Sequence, residues 1–330
     1  MVDIVSQPLP WQQAQWQRVA QQIEREQLPH ALLLAGPPAV GKRIFAQALG
    51  AALLCRAPQY GAACGQCKSC LLLSAQTHPD WHWLAPEEMG KAIKIDQVRE
   101  LVAQMSQTAQ QGGRKLAVMA PAEAMNRNAA NAVLKTLEEP TGTALLILIS
   151  DAPGRLLPTI RSRCQRLDFP VPPREAVQNW LQPGAVSADK LQQALSEAEG
   201  RPLLARELLE GESFAVRREL GEEMAAVLAQ KTSVLATAER WKQRDWLPLL
   251  HWLESRIARA LRLQVANQAP SDQAVALLAQ ASARALFGLL DQIKALINQT
   301  LAGTNPNPQL ALESFLFNAC DAVIKKTPDA

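Results

Sequence analysis

Short, wholly apolar runs alternate with longer amphipathic stretches through the first half of the chain, and amphipathic stretches alone fill the second half. Over residues 11–27, Trp16, Val19, Ala20 and Ile23 recur on one helical face, and Pro29 ends that helix. A strand is predicted at Ala31–Ala35, followed by a loop rich in glycine and proline and by a helix from Gly41 to about Cys55. His78, Pro79 and Asp80 turn the chain into a short strand, Trp81–Leu84. Val98, Leu101, Val102 and Met105 mark another helix, and Gly112 and Gly113 break it before a strand at 115–120. Asn126–Glu139 reads as a helix stopped by Pro140. The run Ala144–Ser150 is continuously apolar, as expected of a strand covered on both faces. A helix over Leu156–Ser162 and a strand over Cys164–Phe169 complete the alternation. Strands separated by helices predict a parallel sheet with right-handed crossovers, an α/β module.

Beyond the linker Pro170-Val171-Pro172-Pro173 only helical patterns continue, separated by Gly200, Gly211, Pro270 and a turn at 303–308. The expected organisation is an α/β nucleotide-binding-like domain over 1–169, a small helical domain over 170–210 and an all-α domain over 211–330. Trp241, Trp246 and Trp252 read as core or interface anchors, because no basic stripe interleaves them as a base-stacking platform needs.

Bulk properties narrow the classes. At 330 residues and 48% apolar content the chain can fill two or three cores. A formal charge of +3 gives no case for a basic nucleic-acid coat. No stretch reaches the ~18 uninterrupted apolar residues of a membrane span. The first residues carry no basic segment followed by an apolar core, so no signal peptide is expected there. The cytoplasm is then the expected location, and its cysteines are expected to be reduced.

The chemistry begins in the loop after the first strand. Gly36, Gly41 and Lys42 stand at phosphate-loop spacing, where glycines let backbone N–H groups approach phosphates and the next helix offers its positive end. The lysine of such a loop reaches the outer phosphates, and the hydroxyl after it holds magnesium. Here that hydroxyl is replaced by Arg43, whose guanidinium has only donors and cannot ligate a metal. The strand at 115–120 carries a second loss. Where an ATPase has an Asp for magnesium and often a Glu for the attacking water, this chain has Ala120 and Pro121. Glu123 is the nearest acid, three residues past the strand end and out of register for the metal role. The loop Gly36, Gly41, Lys42, Arg43 is therefore read as vestigial, with ATP and magnesium not expected to serve as cofactors in this chain.

Four of the six cysteines, Cys55, Cys64, Cys67 and Cys70, lie in one short stretch with two overlapping CxxC units. That spacing suits tetrahedral zinc in a closed structural site. Gly61 and Gly65 give its turns room, and Lys68 offsets part of the tetrathiolate charge. A redox CxxC pair with two bystanders is the alternative. Cys164 and Cys320 are read as small apolar fillers.

Together, the cysteine insertion after the phosphate-loop helix, the run Asn131-Ala132-Val133-Leu134-Lys135-Thr136-Leu137-Glu138-Glu139-Pro140 and the triplet Ser162-Arg163-Cys164 carry a family resemblance. The chain resembles the AAA+ clamp-loader subunits of bacterial DNA polymerase III, over essentially its whole length and most densely across 29–168. The resemblance implies an AAA+ module with a zinc-binding insertion, a helical lid and a helical C-terminal collar. It implies partners as well: the ATP-hydrolysing motor subunits (gamma/tau), the delta subunit and, through the complex, the sliding clamp and primed DNA. Motor subunits keep the hydroxyl and acidic residues that this chain lacks, so the chain looks like a non-hydrolysing member. Leu203 falls where motors carry a further arginine, although Arg201 and Arg206 are close by. Ser150 falls at a polar sensor position and is expected to cap its strand. Arg163 is implied to be an arginine finger, entering the ATP site of an adjacent motor, with Arg161 and Arg166 as fallback candidates. An arginine bound to a carboxylate of its own domain is the plainer alternative. No acidic metal pair for nucleotidyl transfer is visible, so polymerase activity would belong to the holoenzyme and not to this chain. Two other functions stay open: an active gamma/tau-like motor that recruits Glu123, and a purely structural zinc-stabilised adaptor.

Overall fold

A computed structural model describes residues 6–59, 61–88, 91–111, 113–140, 142–181, 187–211, 213–265, 270, 272–301, 303–304 and 306–324. Gly112, half of the expected helix break, lies outside the described residues. The chain forms two compact units, Met1–Arg206 and Glu207–Ala330.

In the first unit the elements run α1 (Gln13–Glu24), β1 (Ala31–Ala35), α2 (Lys42–Leu54), α3 (Lys68–Ser74), β2 (Trp81–Leu84), α4 (Ile95–Met105), β3 (Leu116–Met119), α5 (Arg127–Glu138), β4 (Leu145–Ser150), α6 (Pro158–Arg161), β5 (Gln165–Asp168), α7 (Arg174–Leu181), α8 (Ala188–Glu197) and the first half of α9 (Pro202–Glu210), whose last residues belong to the second. The strands form one five-stranded sheet in the order β2-β3-β4-β1-β5, and every pairing is parallel. The central strands β1 and β4 are buried at every position, because helices cover both faces. Alternation divides their side chains between two cores. Leu32 and Leu34 pack with Val19, Phe45, Leu49 and Ile147 on one face, whereas Leu33 packs with Leu101, Val133, Met119 and Leu148 on the other. At the edge, β5 alternates instead, with Leu167 buried between exposed Arg166 and Asp168, and those charges suit an unpaired edge.

The expected helix over Leu156–Ser162 is shorter than its pattern suggests. A 3-10 turn at Pro153–Arg155 comes first, Leu156 and Leu157 are extended, and α6 occupies Pro158–Arg161 alone. Pro158 starts it, since proline is tolerated in the first turn of a helix and not deeper. At α2, Gly50 accommodates a neighbour: a Cβ there would lie 2.0 Å from the Trp81 ring.

In the second unit, α10 (Ser213–Leu228), α11 (Val234–Trp241), α12 (Trp246–Val265), α13 (Gln273–Leu278), α14 (Ala283–Leu301) and α15 (Pro308–Ile324) surround one apolar core. Trp241 and Trp252 meet edge to face in it, at 5.9 Å between ring centroids. Trp241 Nε1 donates to Glu223 at 2.6 Å, and Trp246 Nε1 donates to the Thr300 hydroxyl at 3.1 Å. Arg256 is buried over the Trp252 ring and ion-paired with Asp272, which supplies the partner that a buried cation requires. No helix among the described residues is long and apolar enough to cross a membrane.

Candidate functional site

The phosphate loop leaves the carboxyl end of β1, at the point where the chain order reverses between β4 and β5, which is where open α/β sheets bind ligands. Gly36 is required there by close approach: a Cβ would lie 2.0 Å from the Phe169 carbonyl oxygen. Gly41, with φ +96, holds the left-handed turn that starts α2. The loop thus has the backbone of a nucleotide site, and its side chains are turned to other uses.

Lys42 is buried and donates to the carbonyls of Gly36 and Pro37, each at 2.6 Å. Its third contact is an ion pair with Asp151, also at 2.6 Å. An ammonium has three donors, and all three are engaged within the chain. Arg43 points to the end of β3. Its Nη2 donates to the Ala120 carbonyl at 3.3 Å, and the guanidinium lies 5.7 Å from the Trp83 ring centroid. Glu123 is turned away from any metal role: its Oε1 accepts the backbone N–H groups of Asp151 and Ala152 at 2.9 and 3.0 Å. Ser150 departs from expectation. It is fully buried, and its hydroxyl has no hydrogen-bond partner among the described residues, so the side chain does not cap the strand. It is the Ser150 carbonyl that accepts Gly36 N–H, at 3.3 Å.

The loop is also covered by the chain itself. Trp11 Nε1 and Gln12 Nε2 both donate to the Val40 carbonyl, at 3.0 and 3.2 Å. Leu9 and the fully buried Gln12 press against Gly41, where a Cβ would meet them at 2.4 and 2.8 Å. From the other side Leu203 N–H donates to the Ala39 carbonyl at 3.1 Å, so the first turn of α9 does reach the loop. Arg206 stacks on Trp180 at 5.1 Å, and Trp180 meets Trp11 edge to face.

Arg163 stands at the other end of the sheet. It precedes β5, whose register pairs Gln165 with Leu32 and Asp168 with Ala35, so the length of a strand, about 13 Å, separates it from its own phosphate loop. Its Nη2 pairs with Glu138 at 2.8 Å and its Nη1 donates to the Thr159 carbonyl at 3.1 Å. This is the in-domain pairing that the sequence left open. With the two side chains 37% and 50% exposed, such a pair is worth about 0–1 kcal/mol and opens readily. Arg166 pairs with Asp168 at 2.7 Å.

The cysteines do come together. The Sγ atoms of Cys55, Cys64, Cys67 and Cys70 all lie within 4.8 Å of one another, with Cys67–Cys70 at 3.5, Cys55–Cys67 at 3.9 and Cys64–Cys70 at 4.0 Å. A tetrahedral ion with bonds of ~2.3 Å would set sulfurs ~3.8 Å apart, so the cluster fits a thiophilic metal such as zinc. Gly61 and Gly65 adopt positive φ in its turns, as expected. Backbone N–H groups of Cys64 and Cys67 donate to the sulfurs of Cys55 and Cys64, at 3.3 and 3.4 Å. Burial opposes ionisation of Cys67, but hydrogen bonds from the backbone at Cys70 and Arg56 outweigh it and bring the thiol down to about 6. Burial pushes Cys55 and Cys70 up. Cys164 and Cys320 are buried, and desolvation raises both thiols, that of Cys164 to about 12, as suits inert fillers.

A buried polar chain ties this insertion to the sheet. Asp80 N–H donates to His78 Nδ1 at 3.1 Å, so the proton sits on Nε2, which donates to the Ser69 hydroxyl at 2.7 Å. Ser69 is an acceptor here and not an activated nucleophile. The Asp80 carboxylate accepts Gln110 and Gln111 N–H, both at 2.8 Å, and faces Lys115 at 3.9 Å.

Sequence reasoning missed the roles of Asp151, Trp83, Trp11 and Glu138. Asp151 directly follows the sensor position and carried some signal; the others become partners only through tertiary folding.

The chain is similar to known proteins over most of its length. A family model described as "DNA polymerase III, delta subunit" matches residues 11–173, and one described as "DNA polymerase III, delta subunit, C terminal" matches 212–319. DNA polymerase III subunit delta' of Pseudomonas aeruginosa is 44% identical over 260 residues, which cover 78% of each chain. The protein of the same name in Escherichia coli K12 is 31% identical over 93% of this chain and 94% of its own. That of Haemophilus influenzae is 35% identical over 77% of each. Among solved structures, a DNA polymerase III gamma subunit-related protein of Thermotoga maritima aligns with 94% of this chain and 99% of its own, at 17% identity and a TM-score of 0.41. On these relatives and on both family matches, the chain belongs to the DNA polymerase III delta' subunit family.

Proposed function

We propose that the chain is the non-hydrolysing AAA+ subunit of the bacterial clamp loader. In this reading it assembles in the cytoplasm with gamma/tau motor subunits and delta, and helps place the sliding clamp on primed DNA. The observation that carries the non-hydrolysing role is the engagement of Lys42 by Gly36, Pro37 and Asp151, with Arg43 and Ala120 at the two magnesium positions. Residues 170–210 act as the lid and 211–330 as the collar. Zinc held by Cys55, Cys64, Cys67 and Cys70 supplies a fixed tie where the apolar contacts of the insertion are few, and takes no part in a reaction.

Arg163 is the arginine supplied in trans. Its place at the far end of β5 from its own phosphate loop, its partial exposure and its weak ion pair support that role. An arginine brought to a transferring phosphoryl group stabilises charge in the transition state by roughly 10³–10⁵ in rate. The test is a reconstituted loader with Arg163→Ala. The expected result is intact assembly with ATP turnover at the adjacent motor lowered at least about a hundredfold. Unchanged turnover would leave the structural-adaptor reading in its place.

A further inference from the structure

Glu138 is the last residue of α5, and α5 is fixed by Ala129, Ala130, Val133 and Leu137, all buried in the sheet core. Its carboxylate therefore hangs from a rigid element. The other acceptor on Arg163, the Thr159 carbonyl, belongs to α6, which starts at Pro158 and buries Ile160. A guanidinium has five N–H donors in a fixed plane. Among the described residues, the contacts to Glu138 and Thr159 use one on Nη2 and one on Nη1, and leave Nε–H and one on each terminal nitrogen. Two acceptors on separate elements fix both the direction and the plane of the group.

We propose that Glu138 is a positioning residue for Arg163: it orients the guanidinium before a neighbouring subunit docks and leaves three N–H donors for that subunit's phosphoryl group. The inference rests on the reading of Arg163 as an arginine supplied in trans. An unheld arginine keeps wide rotamer freedom and must give it up in the transition state, whereas a held one has given it up already. Misplacement of such a group by about 1 Å can cost on the order of 100-fold in rate. The Glu138 contact is solvent-accessible and the Thr159 contact remains without it, so a smaller loss is expected.

The experiment uses the reconstituted loader with Glu138→Ala, Glu138→Gln, Arg163→Ala and the Glu138→Ala/Arg163→Ala pair, read as kcat and KM for ATP at the adjacent motor, the other motors silenced by substitution of their phosphate-loop lysines, with primed DNA and clamp present. Glu138→Ala is expected to lower kcat about three- to fivefold, the most that a pair worth up to about 1 kcal/mol can contribute, with KM within about twofold. Glu138→Gln keeps an acceptor oxygen and should fall between Glu138→Ala and the unsubstituted protein. The double variant should match Arg163→Ala alone, because an orienting group has nothing left to orient. Thermal unfolding of the isolated chain should be unchanged in each, which separates orientation from damage to the fold. A Glu138→Ala loader at the unsubstituted rate overturns the proposal. So does a faster one, which would mean that the carboxylate competes with phosphate, and so does a loss that adds to that of Arg163→Ala. If Arg163→Ala itself leaves turnover intact, the trans-arginine reading fails and this inference with it; if Arg163→Ala is slow and Glu138→Ala is not, only this inference fails.

Discussion

Arg43 donates to the backbone carbonyl of Ala120 at 3.3 Å. In the proposed reading these two residues stand where a working AAA+ site holds magnesium from both sides, one in place of the hydroxyl and one in place of the acid. Their contact means that the two losses are not independent. Restoring a hydroxyl at 43 would leave no carboxylate at 120, and a carboxylate at 120 would meet the guanidinium of Arg43 before it met a metal.

The purified chain, given magnesium, ATP and primed DNA, is therefore expected to release no phosphate above background, and Arg43→Thr is expected to leave it silent. Steady-state phosphate release measures both. Clear turnover that disappears in Lys42→Ala would reclassify the chain as a motor.

Asp151→Asn addresses the lysine. Losing the carboxylate leaves a buried ammonium with two carbonyls and no counter-charge. Breaking a fully buried pair costs about 3–5 kcal/mol. Asp151 is 42% exposed and water screens it, so about 1–2 kcal/mol is expected in urea unfolding. Lys42→Met removes the charge while keeping most of the volume and should cost less than Asp151→Asn; the reverse order would show that the ion pair does not hold the loop.

Much of this was readable in the sequence, for reasons that particular residues make plain. β1 and β4 announce themselves because burial on both faces leaves no polar position before Ser150 to blur the run. The cysteine cluster is legible because its four ligands are close in sequence, so little folding is needed to bring them together. Arg43 and Ala120 are legible as substitutions within a motif. The contact between them, 77 residues apart, is not. Glu138 stayed hidden for the same reason: its partner comes from the turn between α6 and β5, and its own sequence context reads as a solvated helix end. α6 was overestimated because Leu156 and Leu157 fit a helical stripe, while Pro158 sets the true start.

Metal binding should release protons. Cys67 is largely ionised above about 6, whereas burial keeps Cys55 and Cys70 protonated near neutrality until a metal displaces their protons. Zinc added to metal-free protein at pH 7 in weak buffer is expected to release at least about two protons per site, so affinity already falls as pH drops through 7 and falls more steeply below about 6, where Cys67 is protonated as well. Cys67→Ser should bind zinc more weakly and lower the melting temperature. Equal zinc retention in that variant, measured by metal analysis after dialysis, would rule out a four-thiolate site.

His78 links the cysteine insertion to Asp80 and gives the first unit an acid limb. Burial holds its pKa below the ordinary 6.5, against a smaller upward pull from Asp80. The unfolded chain therefore takes up the proton first. Stability is fully present above 6.5 and is lost as the pH falls below it. His82, lowered mainly by burial, acts in the same direction. Unfolding free energy should fall between pH 7 and 5, and His78→Asn should flatten part of that slope while costing about 1–2 kcal/mol at pH 7. An unchanged slope in the variant would show that His78 does not carry the effect.

The last helix bears on assembly. Leu310, Phe317 and Ile324 recur every seventh residue along α15 and are 66, 51 and 54% exposed, while Leu312, Phe315, Leu316 and Ala319 fill the core from the opposite side. Three exposed apolar side chains in one row, on a helix already anchored by its other face, form an apolar seam that a neighbour can cover. Under the proposed collar role that seam meets another subunit. Phe317→Asp changes an exposed position, so the isolated chain should unfold within about 0.5 kcal/mol of the unsubstituted protein. In the loader the same carboxylate would be buried without a partner, and the variant is expected to drop out of the complex on size-exclusion chromatography with motor and delta subunits. Retention of Phe317→Asp at full stoichiometry would place the seam elsewhere on the helical domain.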